Sequence, residues 1–108
     1  FNIVVAHRDD HLRNHGFVRQ ADGWHMSPAF DLNPMPDKPE HELAIDAVDH
    51  TGDLGLLIET ADYYRLAASD AERIVDEVRA SVGAWEGIAA AAKLGREEMD
   101  TLREAIVA

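Results

Sequence analysis

The sequence predicts a mainly α-helical protein with one small β-hairpin, an α+β fold class. Two short strand-like runs, 16–20 and 24–27, flank Asp22-Gly23, and Asp-Gly is a strong tight-turn signal because Gly tolerates positive φ. All four prolines fall between residues 28 and 39, which predicts an irregular, stiff segment there. From Leu54 onward the apolar residues recur at helical spacing.

The sequence predicts a series of helices in the second half of the chain. Ser69 and Glu72 form a capping-box pattern that predicts a helix start. The expected helix then carries one apolar face, made of Ile74, Val75, Val78, Val82, Trp85, Ile88 and Ala92. Gly95 is expected to break it, and a last short helix is marked by Met99, Leu102 and Ile106.

The first six residues, Phe1 to Ala6, fit either a strand or a buried helix end. We predict one domain over 1–108, with a catalytic loop, hairpin and metal-binding Asp in 1–36, a loop in 37–53 and helices in 54–108. The aromatic residues Phe17, Trp24, Phe30 and Trp85 are expected in the core.

Composition narrows the function classes. The net charge is −11, of which residues 37–108 contribute −10, which argues against direct binding of a nucleic-acid backbone by this chain. The acidic half reads as a solvated helical surface. There is no cysteine, no apolar run of membrane-spanning length and no secretory signal pattern, which together fit a cytoplasmic protein. Because the first residue is Phe1 rather than Met, we expect a piece of a longer protein.

The stretch that carries chemistry is the polar run from His7 to His15. Within it Asn14 follows Asp9 by five residues, and Asp31 follows Asn14 by seventeen. Phosphoryl transfer needs a carboxylate to accept a hydroxyl proton and hard oxygen ligands to hold Mg²⁺ against the phosphates. A hairpin between Asn14 and Asp31 would bring these two side chains together, as in protein kinases.

These residues also carry a family resemblance. The pattern D-D-H-x-R-N-H, then a hairpin, then G-W-x-x-S-P-A-F-D-L-N-P resembles the C-terminal region of HipA-like serine/threonine protein kinases, bacterial enzymes that are often the toxin of a toxin–antitoxin pair. The resemblance implies a fragment of a kinase C-terminal lobe. It implies Asp9 as the catalytic base and Asn14 and Asp31 as magnesium ligands. His11 occupies the position where many protein kinases place a phosphate-contacting lysine, which implies a supporting role.

The resemblance further implies ATP as co-substrate, a protein substrate with Ser or Thr, and a HipB-like antitoxin as a possible partner. Neither a Gly-rich phosphate loop nor a strand lysine is present, since the only lysines are Lys38 and Lys93 outside any such context. The fragment alone is therefore expected to be inactive.

Two other functions compete with the kinase. His7, His11 and His15 are four residues apart and would form one stripe on a helix, which could bind zinc in a metal-dependent phosphohydrolase. A non-catalytic helical docking module for an antitoxin is the second alternative. Within the kinase interpretation Asp10 competes with Asp9 as base, and the five-residue step to Asn14 selects Asp9.

Overall fold

A β-hairpin followed by four α-helices makes up the computed structural model, which describes residues 1–108 and measures 44 × 33 × 24 Å. This confirms the predicted mainly helical α+β class. The elements are β1 (Phe17–Gln20), β2 (Gly23–Met26), α1 (Leu54–Glu59), α2 (Ala68–Val82), α3 (Trp85–Ala91) and α4 (Arg96–Ala105). Short 3₁₀ turns cover Leu12–Asn14 and Ala61–Tyr64.

The hairpin forms in the predicted region, but its turn lies one residue earlier than the predicted Asp22-Gly23. β1 and β2 are antiparallel, and Gln20 pairs with Gly23, so the turn residues are Ala21 and Asp22. Gly23 opens β2 with a φ of +141°, a conformation that glycine adopts without the steric penalty of a side chain. The Ser27 N–H donates to the Gly16 carbonyl at 2.8 Å and extends the ladder by one step.

Two predictions about the helices are wrong. The single apolar face from Ile74 to Ala92 is divided between α2 and α3, because the first helix ends at Val82. The N-cap of α2 is Ala67 and not Ser69, and no side chain caps this helix. The break before Gly95 is present, since α3 ends at Ala91 and Gly95 is the N-cap of α4.

The core is small and centres on the segment Ile3–His7. This segment forms a tight turn in which the His7 N–H donates to the Asn2 carbonyl at 2.9 Å, so it is closer to the buried helix end than to the strand. After α4 the Val107 N–H donates to the Val4 carbonyl at 2.9 Å and ties the end of the chain to this core. The buried apolar residues are Ile3, Val4, Val5, Ala6, Ala61, Ala89, Met99 and Ala105.

The prediction that the aromatic residues are core residues is wrong for three of the four. Phe17, Trp24 and Phe30 are exposed, and only Trp85 is half-buried. All but one residue of β1 and β2 are exposed, because the two strands pair with each other and no helix covers either face of the hairpin. None of the helices has the length and apolar character that crossing a membrane requires.

Candidate active site

Asn14 and Asp31 are in direct contact. The Asn14 amide nitrogen donates to Oδ2 of Asp31 at 2.9 Å, across a sequence separation of 17 residues. The 3₁₀ turn Leu12–Asn14 presents Asn14 from one side, and the chain leaving β2 presents Asp31 from the other. The hairpin between them folds the chain back, which is the physical basis on which the two were expected to meet.

Asp31 is held in an uncommon conformation by its neighbours. Its φ is +57°, in the left-handed region that Asp tolerates better than most side chains. The Asn33 amide nitrogen donates to Oδ1 of Asp31 at 3.1 Å. The buried His7 ring places Nδ1 2.9 Å from the Asn33 carbonyl oxygen and so fixes the loop from behind. These contacts hold the Asp31 carboxylate in a defined position beside Asn14.

Asp9 stands apart from that pair and contacts a lysine. Nζ of Lys38 lies 2.9 Å from Oδ1 of Asp9 and 2.9 Å from Oε2 of Glu42. Asp9 makes no hydrogen bond to Asn14 or Asp31, so the structure joins two of the three predicted site residues directly and leaves the third on the same loop. The hydrogen bond from Lys38, and then its charge, lowers the pKa of the Asp9 carboxyl.

The neighbouring Asp10 has a different environment. It is buried, accepts a hydrogen bond from the Asn2 amide nitrogen at 2.7 Å, and lies 2.9 Å from Nε2 of His15. The Asp9 side chain is half exposed by contrast. A proton acceptor must reach the substrate, so these environments favour Asp9 over Asp10 as the base.

The stripe of His7, His11 and His15 that could have bound zinc does not form. The stretch from His7 to His15 contains only a single 3₁₀ turn, Leu12–Asn14, and no continuous helix. His7 contacts Asn33, His15 contacts Asp10, and the buried Nδ1 of His11 makes no hydrogen bond to the chain. No group of three or more His, Asp or Glu side chains converges to hold a metal ion.

Asn14 and Asp31 nevertheless have the donor chemistry that Mg²⁺ needs. Mg²⁺ is commonly held by one or two side chains, while phosphates and water complete its shell. Asp31 offers two carboxylate oxygens, each of which accepts a single hydrogen bond here. Asn14 offers an amide oxygen, which accepts a bond from the His11 backbone N–H at 3.2 Å. Both residues carry oxygens suited to a hard cation, but the amide nitrogen of Asn14 is the atom that faces Asp31, so their role as ligands stays a prediction.

Sequence reasoning missed three residues of this site, Asn33, Arg8 and Lys38. Asn33 had a local signal, since an Asn two residues after an Asp is close enough to bond its carboxylate. Arg8 donates through Nη1 to the Pro36 carbonyl at 2.9 Å and also to the Lys38 carbonyl. Neither Arg8 nor the contact of Lys38 with Asp9 had such a signal, because the partners lie about 30 residues apart in the chain.

A protein-family model matches most of the chain. Residues 1–85 fit the family described as the HipA-like C-terminal domain, which is more than half of the chain. The matched part includes the polar loop from His7 to His15, the hairpin, Asp31 and Lys38. No curated protein and no solved structure is similar enough to be matched to this chain.

Proposed function

Because the chain belongs to the HipA-like C-terminal domain family, we propose that it supplies the catalytic loop and the metal-binding aspartate of a serine/threonine protein kinase. In this proposal Asp9 is the base, and Asn14 and Asp31 hold Mg²⁺. His11 has a supporting role beside Asp9. ATP is the phosphoryl donor, and the acceptor is a Ser or Thr hydroxyl of a protein.

The proposed reaction is a single displacement. The acceptor oxygen forms a bond to the γ-phosphorus, and the bond from that phosphorus to the β–γ bridging oxygen breaks, which releases ADP. Asp9 takes the hydroxyl proton. Its half-exposed side chain is within reach of a substrate, and its lowered pKa means that the carboxylate is ionised at neutral pH. Bound Mg²⁺ would neutralise charge on the β- and γ-phosphates.

One observation carries the proposal, the 2.9 Å contact between Asn14 and Asp31. It places an amide and a carboxylate together at the end of the loop that holds Asp9, and these are the oxygen-bearing groups that phosphoryl transfer requires. The family match makes a kinase the best-supported reading of that geometry. A HipB-like antitoxin remains a proposed partner on the same family ground.

The test is a radiolabelled ATP assay in the longest natural protein that carries residues 1–108. We expect Asp9→Ala and Asp31→Ala each to lower phosphate incorporation by about 100-fold or more, because a positioned base or metal ligand contributes on that order. Both side chains are exposed, so each variant should remain folded. Asp31→Ala should still lose about 1 kcal/mol of stability, because Ala tolerates the left-handed φ of residue 31 less well than Asp does.

Asp76→Ala is the matched control, since Asp76 lies exposed on α2 and makes no ion pair or hydrogen bond. It should keep wild-type activity. Full activity in Asp9→Ala or Asp31→Ala, with wild-type protein active in the same assay, would remove the assigned roles.

A further inference from the structure

The segment Met35–Glu42 is bonded along the start of the catalytic loop. The Met35 N–H donates to the Ala6 carbonyl at 2.8 Å, and the Glu42 N–H donates to the Arg8 carbonyl at 3.0 Å. The Arg8 guanidinium returns two bonds, to the carbonyls of Pro36 and Lys38. Four backbone anchors therefore fix the main chain of Lys38 beside Asp9, in a stretch that is otherwise irregular.

The side chain of Lys38 uses that anchored position to join two carboxylates. Its ammonium lies 2.9 Å from both Oδ1 of Asp9 and Oε2 of Glu42. The Lys38 side chain is 29% exposed, less than either carboxylate partner. Because Glu42 also binds the ammonium, Lys38 should keep its position when a substrate approaches Asp9.

We propose that Lys38 is a positioning residue for Asp9: its ammonium occupies Oδ1 and orients the carboxylate so that Oδ2 is free for the substrate hydroxyl. This inference rests on the proposed kinase function and deepens it. Lys38 is not assigned a contact with ATP. It acts through Asp9, which is the group that takes the proton.

The electrostatics agree with the geometry. Four titratable groups face Asp9, namely Lys38, Glu42, His11 and His7. The Lys38 hydrogen bond and charge lower the pKa of Asp9, and the histidines lower it further by smaller amounts. The same lysine lowers the pKa of Glu42, and the two carboxylates raise the pKa of Lys38. The ammonium therefore stays charged wherever Asp9 is able to act as a base.

His11 is the other candidate for this role, because it follows Asp9 by two residues. Its buried Nδ1 makes no hydrogen bond to the chain, and its ring does not bond Asp9. The cation that contacts Asp9 comes instead from a segment 29 residues away. Sequence position alone points to His11, and the hydrogen bonds point to Lys38.

The experiment measures kcat and KM of the longest natural protein that carries this chain, with Lys38→Met, Lys38→Arg and Lys93→Met. We expect Lys38→Met to lower kcat about 10- to 100-fold, the range that loss of orientation of a reacting group produces, with KM for ATP within about twofold. Lys38→Arg keeps a cation and should restore most of kcat. Lys93→Met changes the other lysine, which is exposed and unpaired, and should leave kcat unchanged.

The pH profile separates positioning from a merely structural role. Loss of Lys38 lets the pKa of Asp9 rise toward its ordinary value, so the acidic limb of kcat/KM should move to higher pH in Lys38→Met.

The outcomes distinguish this inference from the proposed function. Wild-type protein without phosphoryl transfer would overturn the proposed function. Active wild-type protein with an unchanged kcat and pH profile in Lys38→Met would overturn only the role of Lys38. A lowered kcat in Lys38→Met that Lys38→Arg does not raise would also overturn it, because orientation by a cation predicts rescue.

Discussion

At the scale of single residues, the buried ring of His41 leaves no room for a side chain at Gly52. A Cβ at this position would lie 2.7 Å from Nε2 and 3.0 Å from Cδ2 of His41, and His41 is buried. The His41 main chain is bonded to His50 through both its N–H and its carbonyl, and the buried ring has little free space to move into. Close packing of this kind tolerates no added methyl group.

We therefore expect Gly52→Ala to lower the free energy of unfolding by about 1–3 kcal/mol, the usual cost of an overpacked site. Urea unfolding followed by circular dichroism measures it. Gly87→Ala is the matched control, because Gly87 lies within α3 and a Cβ there meets nothing within 4 Å. It should raise stability by about 0.5–1 kcal/mol through helix propensity. Equal effects of the two substitutions would contradict the steric argument.

At the scale of elements, the start of α1 depends on one carboxylate. Asp53 is the N-cap of α1, and its Oδ1 accepts a hydrogen bond from the Leu56 N–H at 2.8 Å. The preceding loop is organised by similar bonds. Asp46 accepts from the N–H groups of Val48 and Asp49, and these bonds lower the pKa of the Asp46 carboxyl. A solvated acidic turn thus leads into the helix.

Asp53→Ala should destabilise the protein by about 1 kcal/mol, because it leaves an N–H of the first turn of α1 without its acceptor. Asp53→Asn retains a side-chain oxygen and should stay within a few tenths of a kcal/mol of the wild type. Thermal unfolding of the three proteins tests this. An Asn variant as unstable as the Ala variant would show that the charge, and not the cap, matters at this position.

The division of the predicted apolar face also belongs to this scale. The periodic apolar residues continue from Ile74 to Ile88, yet the chain leaves the helix at Gly83 and Ala84. Hydrophobic periodicity does not register such a break, because two consecutive helices can keep the same spacing. The Arg103 guanidinium donates two hydrogen bonds to the Glu86 carboxylate, at 2.9 and 3.0 Å. This ion pair joins α4 to α3 rather than to α2.

At the scale of the whole molecule, the titration of several groups makes the free energy of unfolding decrease as the pH is lowered. Burial, and then the charge of Arg8, lowers the pKa of His41 below 6.5. The folded state therefore disfavours the proton that the unfolded chain binds. The contribution of His41 is complete above pH 6.5 and is lost as pH falls toward its folded pKa. The carboxyls of Asp9, Glu42, Asp46, Asp49 and Glu86 also have lowered pKa values, and their contributions are lost at lower pH, below about 4.

We expect the urea concentration at the unfolding midpoint to decrease as the pH is lowered from 7.5 to 5.5. His41→Gln should remove most of this pH dependence. The comparison is a set of urea titrations at four pH values within this window. An unchanged slope in His41→Gln would assign the effect to another group.

The sequence by itself determined the fold class, the hairpin within one residue and the helical second half. These depend on local chemistry, such as the turn preference of Gly23 and the helical spacing after Leu54. It also placed Asn14 and Asp31 near one another, since a short hairpin joins them and its geometry leaves little freedom.

The tertiary structure alone decided which residues are buried and which cation contacts Asp9. Phe17 and Trp24 look like core residues, yet burial depends on whether another element covers them, and none does. Lys38 reaches Asp9 because backbone and side-chain hydrogen bonds join two segments about 30 residues apart. Such long-range contacts have no local sequence signal, because they are set by the path of the whole chain.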